Sequence, residues 1–355
     1  MGLPNVEIIF KQAASTAIQR GDRGVVALIL KDTASANGSF IMNGVKDIPD
    51  SLSNDNKAEI KRAFLGNVNQ PNKVIAYVLG TDATDYTAAQ NYFETVKWDY
   101  IAVPDIKNEE VTAFAAWIKG CRDNKDLKVK AVLPHCTADH EGIINFDTDN
   151  IVAGTQSYSA AQYCSRIAGL LAGTPLSMSA TYSVLSEVDD VPHYTKDQID
   201  TMIDAGKFVL VNDGEKVKVG RAVNSLVTVS EVKGADFKKI KIVDIMDLIH
   251  SDIKGTIEDS YIGKVPNDYD HKCILLTGIS AYFEQLEDDM LLDRGMNNIT
   301  IDMDAQKEYL KGQGINADSM KDQEIKEANT GSYVFLSGNV KILDAMEDIE
   351  LNLSI

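Results

Sequence analysis

The chain has 355 residues, 44% hydrophobic and 25% charged, a composition that fits a folded protein of two or three domains and excludes a disordered or fibrous one. Lys and Arg total 35 against 53 Asp and Glu, and the net charge of −18 repels nucleic-acid backbones, anionic membranes and other copies of the chain. The four cysteines, Cys121, Cys136, Cys164 and Cys273, show no CxxC pair and read as buried reduced thiols, not as a disulfide framework.

In chain order, the first predicted element follows Pro4, where Val6, Ile8 and Phe10 share one face of a strand. Glu7 and Lys11 interrupt that stretch, so it is no signal-peptide core, and no run approaches a membrane span. The chain is therefore expected to be made in, and stay in, a reducing cytosol unless released by lysis. Residues 25–30 form a continuous apolar run, expected as a buried strand, and 33–56 read mostly as loop. A regular alternation follows: helix at 55–64, strand at 74–79, helix at 87–96, strand at 100–103, helix at 109–120 and strand at 129–133. That order predicts an α/β domain with a largely parallel sheet. Ser159 is a good N-cap for a helix to Leu171, stopped by Gly173 and Pro175. A helix at 195–205 carries Ile199, Met202 and Ile203 inward, and Asn212-Asp213-Gly214 makes a hairpin of 208–211 and 216–219.

The longest predicted helix, 236–262, places Ile242, Ile245, Ile249, Ile253 and Ile257 at spacings of three and four. Helices at 272–292, 305–311 and 321–328 and strands at 298–303, 333–336 and 340–343 follow. The chain closes on strict alternation: Ile349, Leu351, Leu353 and Ile355 are apolar, Glu350, Asn352 and Ser354 polar. Four such side chains contribute about 6–12 kcal/mol at most, while ordering the seven residues costs about 1–2 kcal/mol each. The terms roughly cancel, so this strand needs a preformed sheet edge. Both an edge within the same chain and one on another chain satisfy the pattern.

Several segments carry a resemblance. Gly2-Leu3-Pro4-Asn5-Val6, Ala13-Ala14-Ser15-Thr16-Ala17-Ile18-Gln19-Arg20, His140-Glu141-Gly142-Ile143-Ile144-Asn145-Phe146, Ala168-Gly169-Leu170-Leu171, Arg221-Ala222-Val223-Asn224-Ser225 and Ala345-Met346-Glu347-Asp348-Ile349 occur in the order found in contractile phage tail sheath proteins. The chain resembles that family, including the sheaths of phage-tail-like bacteriocins. The resemblance implies a central subtilisin-like α/β domain, a helix-plus-sheet C-terminal domain and terminal arms that exchange strands between subunits. On that basis the divisions are an arm at 1–22, a small β-rich domain at 23–85, the α/β domain at 86–230, the C-terminal domain at 231–346 and a strand arm at 347–355. The implied partners are other copies in hexameric rings stacked helically, a tail tube protein, and baseplate and tail terminator proteins, with no nucleic acid and no membrane insertion.

Chemistry-bearing residues are sparse. His135, Cys136, Asp139, His140 and Glu141 gather past a strand end, but near-adjacent loop residues do not all point to one metal. Ser177, Ser179 and Ser225 lack a nucleophile elbow, leaving a hydrolase only as a spatial triad near His140. Phosphate-binding glycine motifs are absent from the sequence, so no cofactor is expected and any motion must draw on energy stored in an assembly. Lys233, Lys238, Lys239 and Lys241 form a basic run, read either as a solvated face or as a contact with an acidic tube or neighbour carrying Asp344, Glu347, Asp348 and Glu350. A binding module that merely oligomerises through its termini is the third reading.

Overall fold

The computed structural model describes residues 17–21, 23–33 and 36–355, so the strand expected at Val6, Ile8 and Phe10 lies outside it. Two compact units emerge. The larger joins Gly21–His250 with Asp344–Ile355; the smaller is built on Ser251–Leu343 with the described residues up to Arg20.

The larger unit contains a seven-stranded sheet. Its strands are β1 (Val25–Asp32), β2 (Gly38–Met42), β3 (Lys73–Gly80), β4 (Tyr100–Ala102), β5 (Lys130–Pro134), β6 (Ile143–Phe146) and β9 (Lys207–Phe208), ordered β2-β3-β1-β4-β5-β6-β9. All neighbours pair in parallel except β2 with β3. β1 shows no alternation because both its faces are covered. Val26, Leu28 and Leu30 face one core with Ile60 and Phe64 of α1 (Asn54–Phe64) and Ile167 and Leu171 of α4 (Ala160–Ala172). Val25, Ala27 and Ile29 face the other, with Phe93 of α2 (Thr87–Phe93) and Phe114 and Ile118 of α3 (Asn108–Asn124). Ser159 caps α4 in a capping box with Gln162, and Gly173 ends it.

Three expectations need correction here. Residues 23–85 are no separate domain, because β1 is hydrogen-bonded between β3 and β4 near the middle of the sheet. The stretch 33–56 is not mostly loop, since β2 adds an antiparallel edge strand to β3. The hairpin arm at 208–211 is divided: Phe208 ends β9 in the large sheet, and only β10 (Leu210–Asn212) pairs with β11 (Val217–Val219). A small hairpin, β7 (Ile151–Ala153) with β8 (Gln156–Tyr158), precedes α4, and α5 (Lys196–Asp204) lies at the surface with no buried residue.

α6 (Ile240–Ser260) starts in the larger unit and ends in the smaller. The smaller unit continues with α7 (Tyr269–Asp288), which buries Leu275, Ile279, Tyr282, Phe283 and Leu286, and with α8 (Met303–Gly312) and α9 (Asp322–Glu327), which enclose Leu310, Ala317 and Ile325. Its sheet has two strands, β12 (Asn298–Ile301) and β13 (Leu336–Asn339), antiparallel with Asn298 opposite Asn339. β13 falls between the strands expected at 333–336 and 340–343; register against β12, not local apolar content, selects the paired residues. No helix among the described residues is long and apolar enough to cross a membrane.

Candidate functional site

The larger unit holds α6 through buried charge. Asp244 and Asp247 sit three residues apart on one face of the helix. Lys130 of β5 is 1% exposed, and its ammonium lies 3.0 Å from Asp244 and 2.5 Å from Asp247. Arg122 of α3 grips Asp247 with paired bonds of 2.9 Å, and the Tyr100 hydroxyl lies 2.8 Å from both Asp244 oxygens. Arg23 reaches Asp244 at 3.4 Å and Asp99 at 3.8 Å. Burial pushes the Asp247 carboxyl up, but Lys130 and Arg122 more than offset it and hold it below the usual range. The sequence offers no signal for this network, whose members come from opposite ends of the unit.

The C-terminal segment crosses the same unit as an acidic strap. Asp344 pairs with Lys239, and the Arg221 guanidinium meets Glu347 at 3.4 Å and Asp348 at 2.5 Å. The Glu347 carboxylate also accepts from Ser179 Oγ at 2.7 Å and Thr181 Oγ1 at 2.6 Å. Beyond the strap, Ile349, Leu351, Leu353 and Ile355 are all at least 74% exposed and form no strand among the described residues. Pairing to an edge of its own chain, left open by the alternation, is not what these residues do.

Part of the basic run has acidic neighbours within its own chain. Lys239 is engaged by Asp344 of its own chain, which raises its pKa. Lys241 is 6% exposed, and burial lowers its pKa against the pull of Asp344 and Glu347. Lys233 pairs with Glu141 at 2.9 Å. Lys239 and Lys241 thus lie beside Asp344 and Glu347 of the same chain, with 40% of the Lys239 side chain still exposed. Lys238 remains half-buried at the start of α6.

The polar constellation also separates. His135 stands in a left-handed conformation with φ 47° and bridges Asp147 and Asp149. Asp139 accepts from the backbone N–H groups of Val227 and Thr228, and Cys136 is buried. His140 and Glu141 lie with Asp123 as a possible cation cluster. Its chemistry does not fit a metal: the Gly142 N–H donates to His140 Nδ1 at 3.0 Å, so the neutral ring carries its proton on Nε2, the nitrogen facing Asp123. Burial lowers the His140 pKa further, and Lys233 and Arg122 already face the Glu141 carboxylate. Nor does a triad form. Ser225 approaches His140 only through its backbone, donating to the carbonyl at 2.9 Å and accepting from the N–H at 3.2 Å.

A chain with ordered internal charge and an uncovered, alternating apolar segment at 349–355 is a candidate building block. The family model for the phage tail sheath protein central domain matches residues 80–225, and that for the phage tail sheath C-terminal domain matches 232–355. The tail sheath protein of Clostridium phage phiCD119 is 40% identical over 355 residues, covering 99% of this chain and 98% of its own. The chain belongs to the phage tail sheath family. Its fold recurs at low identity in the contracted helical sheath of the anti-feeding prophage (15% identical, TM-score 0.72, covering 100% and 99% of the two chains). It recurs also in a sheath tail protein from Desulfitobacterium hafniense (18% identical, TM-score 0.70, covering 84% and 94%). The sheath chain is thus a structural subunit of a phage tail or tail-like particle and not a hydrolase. The two family models divide between 225 and 232, whereas the compact units of the sheath chain divide within α6.

Proposed function

We propose that the chain polymerises around a tail tube by donating the strand 349–355 to a neighbouring copy, and that contraction of the polymer drives the tube through a bacterial envelope. The observation carrying this reading is the uncovered tail: four alternating apolar side chains, each at least 74% exposed, follow a strap that is itself anchored. A receiving edge is at hand. A sheet of two strands is marginal alone, and β12 and β13 pair only with each other among the described residues. N-terminal residues Val6, Ile8 and Phe10 are proposed as the second donor. Copies stack as hexameric rings, bounded by baseplate and tail terminator proteins, with Lys238 turned toward tube or neighbour. Synthesis in the bacterial cytoplasm and release by lysis complete the reading, with neither nucleic acid nor membrane as a direct partner.

Negative-stain electron microscopy of the purified chain over a concentration series, beside the chain lacking 349–355, tests it. Striated tubes from the full chain alone are the expected result. Tubes from both chains would show that this tail is not the required donor.

A further inference from the structure

The strap is held by a site shaped for one carboxylate. Met346 and Asp348 point outward, at 93% and 84% exposure, while the Glu347 side chain between them is only 13% exposed. Ser179 Oγ accepts from the Thr181 N–H at 3.1 Å, and Thr181 Oγ1 accepts from the Ala222 N–H at 3.0 Å. Each hydroxyl has one proton. Both hydroxyls lie within donating distance of the same Glu347 oxygen, 2.7 and 2.6 Å away, and Ser179 Oγ also lies 3.0 Å from Thr181 Oγ1, so the two are held together at one carboxylate oxygen. Arg221 covers the other carboxylate oxygen from 3.4 Å. Lys241 lies buried within electrostatic reach of Asp344 and Glu347. Ser179 and Thr181 belong to the body, where backbone N–H groups hold their hydroxyl oxygens in place.

We propose that Ser179, Thr181 and Arg221 form a carboxylate socket whose ligand is Glu347 of the same chain, and that this clasp fixes the point from which 349–355 reaches a second copy. The inference rests on the strand-donation reading and deepens it. Without the clasp, the last anchor of the strap is the ion pair of Asp344 with Lys239, and the tether begins after Asp344. With it, only the residues after Glu347 are free to search. A shorter tether of matching length raises the effective concentration of the donated strand at its acceptor. Glu347 is then a positioning residue for assembly and does not itself contact the neighbouring copy.

The test uses the full chain with Cys273→Ser and a nitroxide on Met346→Cys, held below its assembly concentration. Electron paramagnetic resonance should show an immobilised label, and Glu347→Gln or Arg221→Gln should free it while the melting temperature stays unchanged. The same two substitutions, in chains without the label, should raise the critical concentration for tube formation about tenfold, the size expected for one lost charge-assisted anchor. A label equally mobile with and without Glu347 overturns the clasp. A freed label with an unchanged critical concentration overturns the positioning role, while loss of tubes on deleting 349–355 still upholds strand donation. Tubes that form without 349–355 overturn strand donation itself, and the positioning role with it.

Discussion

Replacing Lys130 by Met tests whether buried charge, and not apolar contact alone, secures α6. The substitution keeps most of the stem volume and removes one ammonium from a cluster in which Asp244 and Asp247 lie 3.0 and 2.5 Å from it. Arg122 still satisfies Asp247 through its paired 2.9 Å bonds, and Arg23 and Tyr100 still serve Asp244, but the site gains one uncompensated negative charge. Breaking a buried pair from one side costs about 3–5 kcal/mol. At a urea dependence of about 2–3 kcal/mol per molar, the midpoint should fall by about 1–2 M. Tryptophan fluorescence reports this unit alone, because Trp98 and Trp117 stack 6.2 Å apart behind its sheet. Adding Asp247→Leu should recover part of the loss, since the pair is then removed as a pair. A midpoint shift below about 0.5 M, or a double-mutant cycle additive within about 0.5 kcal/mol, would refute the coupling. The pH dependence has a fixed sign. The pKa of Asp247 is lower folded than unfolded, so its contribution is complete above the ordinary carboxylate range. That contribution is lost as pH falls through the folded value, and Lys130→Met should shrink the acid limb.

Further outcomes are accessible by simple assays. A Cβ added at Gly169 would lie 1.9 Å from the Ala63 carbonyl oxygen where α4 crosses α1, so Gly169→Ala should lower stability by about 1–3 kcal/mol in thermal melts. An unchanged melt would mean the helices part freely. Ser159→Ala removes the cap of α4 and should cost about 1 kcal/mol by the same measurement. Burial pushes the Cys121 and Cys136 thiols up to about 11 and Cys164 well above its usual value, while Cys273 is partly exposed. Ellman's reagent at pH 8 should therefore modify Cys273 alone in the native chain, and a second fast-reacting thiol would contradict the core packing.

The parts of the fold written in local pattern were legible. The apolar run of β1, the α4 cap at Ser159 and the isoleucine spacing of α6 each declare themselves within a single short stretch of sequence. What escaped was long-range. β2 (Gly38-Ser39-Phe40-Ile41-Met42) is short and follows a stretch rich in small and polar residues, and its pairing with β3 makes it a strand; β13 is Leu336-Ser337-Gly338-Asn339, poor in β-formers and defined by its register against β12. The candidate site divides the same way. Alternation singles out Ile349, Leu351, Leu353 and Ile355, which the fold leaves exposed. Nothing local indicates that Glu347 meets Ser179 and Thr181, or that Lys239 meets Asp344 of its own chain, because those partners lie more than a hundred residues away. A charge run shows that a partner is needed but not which chain supplies it.

The uncovered tail gives the free subunit the behaviour of a charged colloid with one adhesive spot. At low ionic strength the net charge of −18 holds copies apart, whereas at about 0.1 M salt the screening length shrinks to about 10 Å and the spots can meet. A stock of this chain should therefore keep best dilute and nearly salt-free, and salting-out would serve as a trigger for polymerisation as much as a purification step.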